Sequence, residues 1–296
     1  VSETTEYLNE KRQLVDRVLS ANLPPADTPP AVIHNAMRYA VLGGGKRIRP
    51  IIAIAAAEAC GANSDDLLLP IAALELIHTY SLVHDDLPAL DDDDLRRGRK
   101  TTHVVYGEAI GILTGDALLT EAFSWLAKPI DGVDGAQQLR AVSEVAVAVD
   151  SKGMIGGQVA DIVATGSDEA TSELLDFIHR NKTGKLLTAS AVLGGLLANA
   201  DGEKIEALRR YGNAVGLAFQ IVDDLLDQEE DAATLGKTAG KDLAQGKLTY
   251  PALFGTDAAR ARVEALLGEA LNNADIIAGP VNYLAMIARF ICERRS

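Results

Sequence analysis

Two acidic segments carry the chemistry that this sequence can do. The first reads His84-Asp85-Asp86-Leu87-Pro88-Ala89-Leu90-Asp91-Asp92-Asp93-Asp94 and runs directly into Arg96-Arg97. The second, Asp223-Asp224-Leu225-Leu226-Asp227, follows more than a hundred residues later. Carboxylates this dense repel one another unless cations neutralise them. Hard divalent ions do so through oxygen ligands, and Mg²⁺ commonly brings substrate phosphates with it. Together the two segments point to a site that holds a phosphate ester through metal ions.

Spacing adds detail. His78 and Asp85 are seven residues apart, close to two helical turns, so they share a face roughly 10 Å apart along the axis. Ser81 lies between them on that face. On a straight helix Asp91 would point about 120° away from Asp85. Pro88 disfavours helix at Leu87 and lets the chain bend back. A lone acidic run is usually a solvated turn, and its ion pairs are then worth little. Here His78 and His84 precede the run and Arg96-Arg97 follow it. That arrangement suits acids on metal and guanidiniums on the remaining phosphate oxygens. In the second segment Asp223 and Asp227 are four apart, and Asp224 and Asp227 three apart. Like charges at those spacings destabilise a bare helix, while Val222, Leu225 and Leu226 argue for a largely buried one. Lys237, Lys241 and Lys247 follow as compensating cations.

A basic loop, Gly43-Gly44-Gly45-Lys46-Arg47-Ile48-Arg49-Pro50, has different chemistry. Its glycines let backbone amides approach an anion, and Lys46 and Arg49 supply charge. It lacks P-loop spacing, and a helix C-cap followed by a basic turn reads equally well. With His78 as a third donor it forms an anion site that needs no metal, so two phosphorylated substrates are expected. Lys182-Thr183-Gly184-Lys185 interrupts a helical stretch, where a kink would aim Lys182 inward; a plain surface lysine is the ordinary alternative. Gln158 and Asp161 share a helix face that extends the polar wall.

The elements that must position these groups are helices. Seven of the ten prolines fall at or before Pro88, leaving long uninterrupted stretches. Apolar residues recur at three and four, as in Ala73, Leu76, Tyr80 and Val83. The pattern predicts helices over about 3–21, 31–42, 50–60, 66–86, 107–127, 136–153, 171–180, 183–200, 203–211, 212–230, 249–254, 257–271 and 280–294. One all-α domain over 1–296 is expected. Hydrophobic residues are 48%, charged residues 24%, and the net charge is −14. That charge argues against nucleic acid and makes a metal bridge more necessary for an anionic substrate. Cys60 and Cys292 have no ligand spacing. No apolar run approaches the roughly 18 residues of a membrane span, and Val1 to Glu6 lacks a signal-peptide h-region. A cytoplasmic location is the expectation.

The segments GGGKRIRP, ELIHTYSLVHDDLPALDDDDLRRG, GNAVGLAFQIVDDLLD and LGKTAGKDLAQGKLTYPAL, in this order, resemble the short-chain trans-isoprenyl diphosphate synthases over essentially the whole chain. The resemblance implies antiparallel helices around a deep central cavity, a homodimer, and three Mg²⁺ ions, with Mn²⁺ as an alternative. It implies Asp85, Asp91 and Asp223 as metal ligands, supported by Asp86, Asp224 and Asp227. Arg96, Lys182, Thr183, Gln220, Lys237 and Lys247 would bind the allylic diphosphate. Lys46, Arg49, His78 and Arg97, with the Gly45 backbone, would bind isopentenyl diphosphate. The implied reaction is ionisation, condensation and elimination, with Asp85, Asp86, Asp91, Arg96, Lys182 and Asp223 at its centre. Asp92, Asp93 and Asp94 receive no role.

Product length in such enzymes depends on side chains below the first motif, here Tyr80 and Ser81. Tyr80 lies five residues before Asp85, about 7.5 Å deeper along the axis. An aromatic there, with two extra residues in the motif, is similar to bacterial farnesyl diphosphate synthases. A core tyrosine with its hydroxyl satisfied is the ordinary alternative. Farnesyl diphosphate is the expected product and geranylgeranyl diphosphate the alternative. A terpene cyclase is opposed by the plain second motif and by only 4% aromatics, and a non-catalytic partner subunit by the filled motif positions.

Overall fold

Prolines and glycines delimit the helices much as the pattern predicts. The computed structural model describes residues 3–165, 171–233, 248–277, 279 and 281–294. By contact clustering these fall into two compact units, Val1–Ile54 with Asn63–Val142, and Ala55–Ala62 with Ser143–Ser296.

Unit 1 holds α1 (Glu3–Asn22), α2 (Ala31–Val41), the start of α3 (Ile48–Ala59), α4 (Leu68–Asp85), α5 (Thr102–Tyr106), α6 (Glu108–Ala127) and the start of α7 (Gly135–Val149). α4 is its centre and packs against α1, α2 and α6. Every residue from Pro70 to Ile77 on it is buried. Apolar on all sides, the stretch Ser64–Asp85 is long and apolar enough to cross a membrane, yet 72% of its most apolar window lies inside the protein. This revises the expectation that no stretch approaches a span: scattered polar residues hid the length, and burial all round explains the composition. The buried Glu75 on α4 is neutralised by Arg47, whose Nη1 lies 2.7 Å from Oε1. Arg47 also donates to Asp16 at 2.8 Å and to the Val41 carbonyl at 2.7 Å. The fold is all-α as expected; beyond α4 lies a single short antiparallel hairpin among the described residues, β1 (Leu95–Arg96) and β2 (Arg99–Lys100).

Unit 2 holds α8 (Met154–Ala164), α9 (Ser172–Ile178), a π-helical turn His179–Gly184, α10 (Lys185–Leu197), α11 (Gly202–Ala233), α12 (Tyr250–Phe254), α13 (Thr256–Ile277) and α14 (Tyr283–Glu293). α10 is buried from Leu186 to Leu197 and packs on α11, which also meets α13 and α14. Two glycines misdirected the sequence reading. Gly157 falls inside α8, which the predicted helix ranges omit although Gln158 and Asp161 are placed on one helix face, and Gly212 falls inside α11, which they divide. Both serve close packing: a Cβ would lie 2.2 Å from the Lys182 nitrogen at Gly157, and 2.5 Å from the Thr188 Cα at Gly212. A glycine that helix propensity marks as a breaker is here a point of contact between backbones.

Candidate active site

The first acidic segment does turn back on itself. Past the end of α4, the Asp91 amide donates to the Asp85 carbonyl at 2.8 Å and the Asp93 amide to the Asp86 carbonyl at 3.2 Å. Asp92 takes a φ of 49° inside this loop. The fold-back brings the Asp85 and Asp91 backbones together around Pro88. The Asp94 carbonyl accepts from the Thr101 amide at 2.9 Å, which anchors the loop to the far end of the hairpin. Asp86 is buried, and Arg96 holds it through Nε at 2.7 Å and Nη2 at 2.6 Å. Burial pushes the Asp86 carboxyl up, and the guanidinium opposes that rise.

The basic loop gathers beside it in unit 1. Gly45 has a φ of 146°, and a Cβ there would lie 2.7 Å from Arg97 Nη1. Arg97 also donates to the Gly44 carbonyl. Burial and the guanidiniums of Arg49, Arg97, Arg96 and Arg47 push His78 well below its usual value. The positive charge of these guanidiniums around His78 suits an anion. Lys46 is exposed at the rim. Sequence reasoning missed two supports of this loop. Arg47 sits between the expected ligands Lys46 and Arg49 but is spent on Glu75 and Asp16. Arg99 stacks on the Tyr39 ring at 4.3 Å, and Tyr39 donates to the Lys100 carbonyl at 2.7 Å.

Below Asp85 on α4, Tyr80 is buried at 6% exposure, and its hydroxyl has no hydrogen-bond partner among the described residues. Burial, then Asp85, pushes it up to about 12. The reading of an ordinary core tyrosine with a satisfied hydroxyl is thereby set aside. His84 meets the Tyr80 ring edge-on at 5.9 Å. Ser81 turns its hydroxyl onto the His78 carbonyl at 2.9 Å.

In unit 2 the second acidic segment lies on α11. Asp223 is half-buried and paired with Arg294 at 2.6 Å; Arg294 also stacks on Phe219 at 4.1 Å. No sequence spacing pointed to Arg294, which is 71 residues from its partner. Asp227 is exposed. Asp224 is buried with both oxygens engaged: Oδ2 accepts from the Tyr250 amide at 2.8 Å and Oδ1 from the Gln220 amide at 3.1 Å. Burial pushes its carboxyl up to about 7 against those hydrogen bonds. Thr183 donates to Gln220 at 2.8 Å, and Lys182 lies 2.5 Å from Asp161 on α8. The expected partners Lys182, Thr183 and Gln220 thus line one cavity of about 100 Å³ with His179, Asp224 and Asp161. Lys237 and Lys247 lie outside the described residues.

Among the described residues no three or more His, Cys, Asp or Glu side chains gather into a self-sufficient metal cage. The backbone fold-back brings Asp85 and Asp91 together, and Asp223 is followed by Asp227 one helical turn later on α11. Hard oxygen donors in small numbers fit Mg²⁺, which completes its shell with water and substrate phosphate.

The family model described as Polyprenyl synthetase matches residues 30–284. The chain belongs to that family and is a prenyl-transferring enzyme. It is 44% identical over 263 residues to a chloroplastic geranylgeranyl pyrophosphate synthase of Capsicum annuum, covering 88% of this chain and 71% of that one. It is 40% identical over 290 residues to a geranylgeranyl diphosphate synthase of Cyanophora paradoxa, covering 98% and 96%. Among solved structures, an apo FPP/GFPP synthase from Zymomonas mobilis superposes with a TM-score of 0.88 at 32% identity over 98% of each chain.

Proposed function

We propose that the protein joins isopentenyl diphosphate to an allylic diphosphate and releases a longer prenyl diphosphate. The observation that carries this reading is the positive surround of His78 beside the first acidic segment, two anion-binding chemistries in one unit. Lys46, Arg49, His78 and Arg97 would hold isopentenyl diphosphate. Lys182, Thr183 and Gln220 of unit 2 would hold the allylic diphosphate and take up the charge that grows as its C–O bond breaks. The isopentenyl double bond then attacks the allylic cation, and the proton lost afterwards goes to the released diphosphate. Bound at Asp85 and Asp91 of unit 1, or at Asp223 of unit 2, Mg²⁺ would supply Lewis-acid stabilisation of the leaving group.

The names of the relatives at 40–46% identity favour a twenty-carbon product, and geranylgeranyl diphosphate is the leading reading. One observation favours fifteen carbons: the bulk of Tyr80, buried below Asp85. Incubation with Mg²⁺, isopentenyl diphosphate and dimethylallyl, geranyl or farnesyl diphosphate, followed by product chromatography, tests both. Conversion of farnesyl diphosphate to the twenty-carbon product supports the first reading. A stop at fifteen carbons that Tyr80→Ala lifts establishes the second, and no product with any primer overturns the function. A homodimer is proposed with it. The exposed apolar side chains Ile112 and Leu113 on α6 support a second copy as their cover; analytical ultracentrifugation showing a monomer would refute it.

A further inference from the structure

His179 opens the π-helical turn in unit 2 and has no part in the roles assigned above. Its ring is 3% exposed. Nε2 lies 3.4 Å from Asp224 Oδ2, while Nδ1 is buried with no hydrogen-bond partner among the described residues. An orphaned ring nitrogen costs stability, so packing alone would favour an apolar side chain here. The imidazole has value through its other edge. That edge meets the same Asp224 oxygen that accepts the Tyr250 amide at 2.8 Å. The other Asp224 oxygen holds Gln220 at 3.1 Å, and Gln220 in turn accepts from Thr183 at 2.8 Å. His179 and Thr183 are four residues apart on one π-helical turn that packs on α11. π-Helical turns of this kind interrupt helices mainly at functional sites.

We propose that His179 is a positioning residue that, through Asp224, holds the Thr183–Gln220 pair and the start of α12 in the geometry that receives an allylic diphosphate. The proposal rests on the allylic-site reading above. It also gives Asp224, buried and with each oxygen accepting from a protein donor, a structural role in place of the supporting metal-ligand role that the resemblance implied.

The test is calorimetric binding of geranyl S-thiolodiphosphate, an unreactive allylic analogue, in Mg²⁺, alongside isopentenyl S-thiolodiphosphate. His179→Phe keeps the ring and loses the nitrogen; His179→Gln sets an amide near Nε2. The expected result is about tenfold weaker allylic binding for H179F and recovery to within about threefold for H179Q, with isopentenyl binding within about twofold throughout. Hydrogen exchange of the Tyr250 amide should quicken in H179F and return in H179Q. Should H179F fail to fold, His179→Asn, whose amide is too short to reach Asp224, takes its place. In a separate arm, Mn²⁺ binding in the presence of inorganic pyrophosphate is followed by electron paramagnetic resonance. It should be unchanged by Asp224→Asn and weakened by Asp223→Asn. Unchanged allylic binding in H179F, an equal loss for both analogues, or loss of Mn²⁺ binding in D224N would each overturn the proposal. Wild-type protein binding neither analogue would instead overturn the allylic-site reading.

Discussion

The two Asp-Asp pairs are the same dipeptide held in two ways. In both, the first aspartate is half-buried and the second is buried. Asp86 in unit 1 is held by a cation, Arg96, ten residues further along the chain. Asp224 in unit 2 accepts from two neutral donors, Tyr250 and Gln220, and the nearby cation goes to Asp223. The guanidinium opposes the cost of burying Asp86, whereas Asp224 is pushed up to about 7. A buried carboxylate can thus be held by charge or by hydrogen bonds, and the dipeptide itself does not say which.

The comparison can be broken at several levels. Asp85→Ala and Asp223→Ala should each lower kcat by about a thousandfold or more, because in the proposed reaction each helps to hold the metal that stabilises the leaving group. Steady-state rates in Mg²⁺ check this, and a near-wild-type rate for either would end their equivalence. The neighbouring arginines should separate the pairs. Arg96→Met strands the buried Asp86 and should lower unfolding free energy by about 3 kcal/mol in urea denaturation. Arg294→Met leaves Asp223, whose side chain is 36% exposed, and should cost about 1 kcal/mol or less. Equal losses would erase the distinction. The smallest effect concerns the thiols of unit 2. Burial raises Cys60 and pushes Cys292 up to about 11, so both should alkylate slowly at pH 8, and Cys292 should accelerate as pH rises toward that value.

Helix type was legible almost everywhere, because apolar spacing and proline placement are local. The fold-back of the first acidic segment was also legible, since its bend at Pro88 is local, whereas the pairing of Arg96 with Asp86 is the mutual salt bridge that the sequence offered only as the alternative. Arg47, given no role by the sequence, is claimed by Glu75 and Asp16 from the other side. α8 and the continuity of α11 were lost because Gly157 and Gly212 lower helix propensity, while their value lies in close backbone contact. Arg294 and the His179–Asp224 contact join residues far apart in the chain, and spacing carries no trace of them.

The order of residues by itself determined the helical class, the acidic and basic segments and the family they mark, because each rests on periodicity or on groups adjacent in the chain. Tertiary structure alone decided which carboxylates are enclosed, which cation meets which acid, and that Tyr80 buries a hydroxyl without a partner among the described residues. Those outcomes depend on desolvation and on contacts between distant segments, and both exist only once the helices have packed.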